Sequence, residues 1–314
     1  MKRGQLAFWW LLVLPLVLLS LWGLFVDATL FLKTTLNGLT LASLYFIVAS
    51  GFTLVFGLMR NVNLAHGSLF LIGAYSGWLV GDGTGSWLLA VLTGFVVSAL
   101  LGVLIQIIVF RRMQGEDLRQ TLVTIGLSIV LADLMLWYFG GEIYTFDPPA
   151  WIYGTTSLPI IEKFPTYRLV VLLVSIVIGL LLWGLLTRTR MGMMIRAGVD
   201  DMPMASAVGI PASLLFTTVF CLGAALAGLG GALGGPIFNA YPGLDADMLP
   251  LALIVVILGG VGSLVGTFVA SFIVGFIYTF GIALVPDLAY VILFLPMVVV
   301  IAFKPQGLFG RIPT

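Results

Sequence analysis

The chain is poor in charge, in cysteine and in histidine. Asp, Glu, Lys and Arg make up only 9% of its 314 residues, where a soluble domain carries about 25%. A single cysteine, Cys221, excludes an intrachain disulfide; it reads as a small apolar residue in a helix. One Cys and one His, His66, leave too few ligands for the usual zinc sites. No Gly-Lys pair occurs, so no Gly-x-x-x-x-Gly-Lys-Ser/Thr loop can cradle nucleotide phosphates. No nucleophile stands in a recognisable triad setting. A net charge of +1 and a pI near 7.8 give no footprint for nucleic acid. An enzyme is therefore not expected.

What the chain has is apolar length. It is 61% hydrophobic, with a mean hydropathy of +1.19. A membrane-crossing helix needs about 20 apolar residues. Ten apolar segments can be drawn, at 6–26, 37–58, 64–81, 87–110, 121–139, 168–187, 212–233, 248–262, 264–285 and 288–303. No polar break separates 248–262 from 264–285, so eight or nine true spans also fit. Lys2 and Arg3 precede the first run, and Val26-x-Ala28 resembles a weak cleavage site. That run is longer than the 7–15 residues, roughly, of a signal-peptide core, so a retained span is expected. The fold class expected is all-α: one polytopic membrane bundle over 1–314, with about 8–10 spans and broken helices.

Charge sets the expected orientation. With the N-terminus inside, the cytoplasmic side holds Lys2, Arg3, Arg60, Arg111, Arg112, Arg119, Arg188, Arg190, Arg196, Lys304 and Arg311. The outer side keeps Lys33, Lys163 and Arg168. Both termini and the polar stretch 188–211 are then inside. The loop 140–167, with prolines and the acids Glu142, Asp147 and Glu162, is then outside and available to a partner.

Two glycine-rich breaks interrupt the apolar runs. GLMRNVNLAHG, Gly57–Gly67, places Arg60, Asn61, Asn63 and His66 between them; GGVGSLVG, Gly259–Gly266, lies in the other half. Broken backbone at membrane depth is tolerated inside protein or beside a watery cavity, and paired breaks point to a solute path. Candidate path residues are Asn61, Asn63, His66, Gly67, Ser68, Gly259, Gly260 and Gly262. His66 reads first as a brace holding the broken segment and second as a proton relay. Asp133 reads as the one acid deep in a span. Small residues recur at four-residue spacing: Gly223, Ala227, Gly231, Gly235, and Gly262, Gly266, Ala270 with Ser263, Thr267, Ser271 and Gly275 beside them. Such ladders allow close helix approach.

The stretch RTRMGMMIRAGVDDMPMASAVGIP, Arg188–Pro211, carries helix-end signals. Asp201 suits an N-cap, Pro203 fits a first turn, and Gly209 with Pro211 suits a left-handed stop. A short helix is expected over Met202–Val208. Met204 and Val208 share one face of it. Held between two spans, it is a lever for another protein to push.

Several motifs resemble the membrane permeases of bacterial branched-chain amino acid ABC importers. They are NGLTLASLYFIVASGFTLVFGLMRNVNLAHGSLFLIGAY from Asn37, RAGVDDMPMASAVGI from Arg196, ILGGVGSLVGTFVASFIVG from Ile257 and KPQGLFG from Lys304. The opening looks like the H-type subunit. The resemblance implies an M-type membrane partner, two cytoplasmic P-loop ATPases that hold the ATP and Mg, an external solute-binding protein, and no cofactor on this chain. It also implies a cell inner-membrane location. Arg196, Asp200, Asp201, Met204, Ala205, Val208 and Gly209 would form the coupling loop. Asp201, Ala205 and Gly209 stand at that motif's acidic, alanine and glycine positions. One departure is that Ser68 follows Gly67, where the family often has glutamate. Branched-chain amino acids are the first expectation for the solute. Urea, a short amide or another amino or aromatic acid is the alternative. An ion-coupled secondary transporter is less favoured, because only Asp133 offers an intramembrane carboxylate.

Overall fold

In the computed structural model the protein is a helical bundle, described over residues 27–310 apart from 61, 114 and 159. The run 6–26, Lys2, Arg3, Arg311 and candidate residue Asn61 lie outside the described residues. Along the chain come α1 (Ala28–Met59), α2 (His66–Thr84), α3 (Trp87–Ile108), α4 (Asp117–Phe139), α5 (Thr166–Arg188), α6 (Arg190–Asp200), α7 (Met202–Ala207), α8 (Ala212–Phe238), α9 (Leu244–Gly259), α10 (Leu264–Leu284) and α11 (Ala289–Phe303). The described sheet is one antiparallel pair, β1 (Thr155–Thr156) with β2 (Phe164–Pro165), in the loop before α5.

Six described helical segments are long and apolar enough to cross a membrane: Ala28–Met59, Trp87–Met113, Leu118–Phe139, Thr166–Arg188, Ala212–Phe238 and Leu264–Leu284. Helices α2, α9 and α11 are shorter or more polar. The fold is therefore the expected all-α polytopic bundle, with three partial-length apolar helices among the full spans. The chain alternates direction so that Arg60, Arg111, Arg112, Arg119, Arg188, Arg190, Arg196 and Lys304 gather at one end. Lys33, Lys163 and Arg168 sit at the other, where Arg168 donates a hydrogen bond to Asn37 Oδ1.

Helices α1 and α8 form the centre. From Ala42 to Val55, α1 is buried on every side, as a helix apolar all round should be. Lipid gives no hydrophobic drive for helices to associate, so close van der Waals contact must hold them. The glycine ladders supply it. A Cβ on Gly231 would strike the carbonyl oxygen of Phe70 in α2. One on Gly223 would fall 2.9 Å from the Gly51 oxygen in α1, and one on Gly275 of α10 would fall 2.8 Å from Ala42 Cβ. These intervals are sites of backbone-to-backbone packing. By contrast, α3, α4 and α5 expose Leu88, Leu100, Leu122, Ile129, Leu173 and Leu180, a face suited to lipid or to another apolar helix.

Candidate solute pathway and coupling loop

The first break ends α1 at Arg60, whose φ of 54° is left-handed. The chain then turns back into the bundle. His66 Nε2 lies 3.0 Å from the carbonyl oxygen of Val48, eleven residues before Met59. At 1.5 Å per residue, α2 starts roughly 16 Å inside the end of α1. His66 is buried and its ring meets Phe52 edge-on, with centroids 5.1 Å apart. Its Nε2 donates to Val48, so the proton is on Nε2. Here the imidazole braces α2 against α1. The segment before it is pinned to α4, where Thr124 Oγ1 accepts from Leu64 N at 3.1 Å. Asn63 turns its Oδ1 onto Ala65 N at 3.2 Å.

The fourth residue of this group, Gly67, meets a different element. A Cβ there would lie 2.6 Å from the carbonyl oxygen of Asp245 in the first turn of α9. So α9 also begins inside the bundle, and two helix starts meet at the same depth. Ser68 lies in the contact: its Oγ is 3.1 Å from Ser128 Oγ and 3.4 Å from Asp245 Oδ2. The structure thus brings together Asn63, His66, Gly67 and Ser68.

Gly259, Gly260 and Gly262 are elsewhere, at the opposite end of α9, about 24 Å along its axis. They form a packed joint at the arginine end. A Cβ on Gly259 would strike Gly266 at 2.5 Å, and Gly262 N donates to Thr53 Oγ1 at 3.1 Å. The KPQGLFG tail closes the joint: Leu308 N and Phe309 N donate to the oxygens of Leu258 and Gly259 at 2.8 and 3.0 Å. That motif caps α9, because the last carbonyls of a helix need donors from outside it.

The second site is at the arginine end. Thr189 Oγ1 caps α6 by accepting from Gly192 N at 3.0 Å. Buried Gly198 of α6 sits against Leu58, Met202 and Leu215. Asp201 caps α7, its Oδ1 accepting from Met204 N at 3.0 Å, and Pro203 lies in the first turn. The stop is a complete Schellman motif. Ile210 N donates to Ala205 O and Gly209 N to Ser206 O, both at 3.0 Å, with Gly209 at φ 94°. Helix α7 ends at Ala207, and Val208 is its cap rather than its last turn. Ala205 is buried while Met204 and Val208 are 62% and 73% exposed. The element is seated by its alanine and presents two apolar side chains outward. Arg196, Asp200 and Asp201 are exposed beside it.

The sequence profile described as the branched-chain amino acid transport system permease component matches residues 34–301. The chain belongs to this permease family. It is 30% identical over 306 residues to the high-affinity branched-chain amino acid transport system permease protein LivH of Escherichia coli K12 and to its Salmonella typhimurium counterpart. It is 29% identical over 297 residues to BraD of Pseudomonas aeruginosa, which carries the same description. Each comparison covers 90% of this chain and 96% of the relative. No solved structure matches it. The protein is accordingly a multi-pass membrane permease, a transport subunit that works with ATPases and other subunits.

Asp133 lies within the apolar segment Leu118–Phe139, as expected, but is exposed on α4. Among the described residues the buried acid is Asp245, 7% exposed. The sequence hides Asp245 because it precedes the apolar run from 248 and reads as loop. Asp245 also supplies a carboxylate next to Ser68, at the position where the resemblance expects glutamate. The one signal in the sequence was Asp245 and Asp247 together before an apolar run, the pattern of an acidic first helical turn.

Proposed function

We propose that this permease is the H-type half of an ABC importer in the bacterial cytoplasmic membrane and passes amino acids, branched-chain first, inward. It would pair with an M-type permease, two cytoplasmic P-loop ATPases and an external solute-binding protein. ATP and Mg belong to the ATPases, and this chain carries no cofactor. The observation that supports this most is near full-length similarity to permeases described as high-affinity branched-chain amino acid transporters. The basic residues support a cytoplasmic arginine end. There the exposed face of α7, with Met204 and Val208, suits a groove on an ATPase. The opposite end offers exposed Trp151, Tyr153 and Ile160 to the binding protein. Asn63, His66, Gly67 and Ser68 would line or brace the solute path, and Gly259, Gly260 and Gly262 would form its hinge at the α9–α10 joint. Asn61 belongs to the same path by its place in the motif.

The test is competition. In proteoliposomes with the full set of subunits, uptake of labelled leucine should be displaced by isoleucine and valine and left intact by urea or acetamide. Displacement by amides but not by valine would favour the amide reading.

A further inference from the structure

The meeting of α2 and α9 holds more polar capacity than the protein itself uses. Asp245 is a buried carboxylate, and no basic side chain pairs with it among the described residues. A carboxylate taken out of water without a cation is costly. The first turn of α9 offsets part of that cost, because a negative group at a helix N-terminus is stabilised. Its neighbour Asp247 is satisfied locally by Tyr241, whose hydroxyl donates at 2.6 Å. Among the described residues Asp245 has the Ser68 hydroxyl alone, at 3.4 Å, and that hydroxyl's single proton also has Ser128 O within reach at 3.2 Å.

Two further groups are left over. Tyr75 is fully buried, and its hydroxyl has no hydrogen-bond partner among the described residues. It lies seven positions after Ser68, on the same face of α2. Helical side chains lean toward the N-terminus of their helix, which aims this phenol at the start of α2. Its ring stacks on Phe139 with centroids 4.4 Å apart and meets Tyr144 edge-on at 6.0 Å. Asn63 is 3% exposed, and its Nδ2 is likewise without a partner. The α2 start also has no side-chain cap. His66 N and Leu69 N find backbone acceptors, whereas none is found among the described residues for Gly67 N or Ser68 N. Buried orphans of this kind are rare, and here they lie on or just before α2.

We propose that this junction binds the charged ends of a zwitterionic solute. The Asp245 carboxylate and the Tyr75 hydroxyl take the ammonium. Asn63 Nδ2 and the free N–H groups of the first turn of α2 take the carboxylate, in the way helix starts hold anions. The two halves have opposite polarity, so a neutral amide or a simple acid satisfies only one. Gly67 and Asp245 touch here, so the solute enters when α2 and α9 part. The assignment rests on the amino acid reading above.

The test uses the assembled transporter in proteoliposomes with its binding protein. Tyr75→Phe removes only an unpartnered hydroxyl, so the unfolding temperature should hold or rise. Leucine uptake should nevertheless fall about fivefold or more, as for loss of a hydrogen bond to a charged group. Asp245→Asn should lower uptake by about ten- to a hundredfold, with binding-protein-stimulated ATP hydrolysis retained, and Asp245→Glu should restore part of it. Wild-type uptake by Tyr75→Phe, or by an assembled Asp245→Asn, overturns the site while leaving the amino acid reading intact. A wild-type transporter that takes up no amino acid would instead overturn the reading beneath it.

Discussion

His66 is placed to brace α2 against α1. It is the sole histidine, and its Nε2 proton is held by Val48 O at 3.0 Å in a buried setting. His66→Ala leaves that carbonyl without its extra donor and opens space beside Phe52. Leucine uptake should drop several-fold while the protein still inserts, measured as uptake per permease in the membrane. Unchanged uptake would mean the brace is dispensable. Gly67 tests the same contact from the other side. A methyl there would sit 2.6 Å from Asp245 O, and overpacking costs about 1–3 kcal/mol. Gly67→Ala should therefore lower the unfolding temperature of the purified complex; a higher one would show that α2 and α9 are not in contact as described. The clustering of Asn63, His66 and Gly67 was legible in the sequence, because glycines and polar groups interrupt an apolar run. Asp245 was not, since its neighbour in space, Ser68, is 177 residues away.

At the scale of elements, α7 was readable nearly to its ends. Its caps are local, and Asp201, Pro203 and Gly209 each state their role in the sequence. What local signals could not supply was which face is seated; burial of Ala205 and exposure of Met204 and Val208 settle that. At Gly209 an added side chain meets open space, so strain would come from φ 94° alone. Gly209→Val should thus cost about 1–2 kcal/mol locally without disturbing the bundle. Uptake and stimulated ATP hydrolysis should both fall while assembly persists. Met204→Ser with Val208→Ser, which leaves the caps intact, should do the same by removing the exposed knob. Wild-type uptake and stimulation in both variants would reduce α7 to a connector. Helix α9 was harder to read. A 16-residue helix that starts inside the bundle has the composition of a short span, and only its contacts with Gly67 and with the tail reveal where its two ends lie.

On the scale of the whole molecule, the separation of basic residues between two ends argues for an arginine end that faces the cytoplasm. A cysteine placed at Ser157 should react with an impermeant reagent added outside the cell, and one placed at Arg190 should not. ATP hydrolysed elsewhere is expected to drive amino acids through this chain, and leucine accumulation in proteoliposomes containing both permeases, both ATPases and the binding protein tests this most directly. Accumulation should require ATP inside the compartment that faces α7 and should survive collapse of all ion gradients. Accumulation that persists without ATP and disappears with an ion gradient would contradict the account.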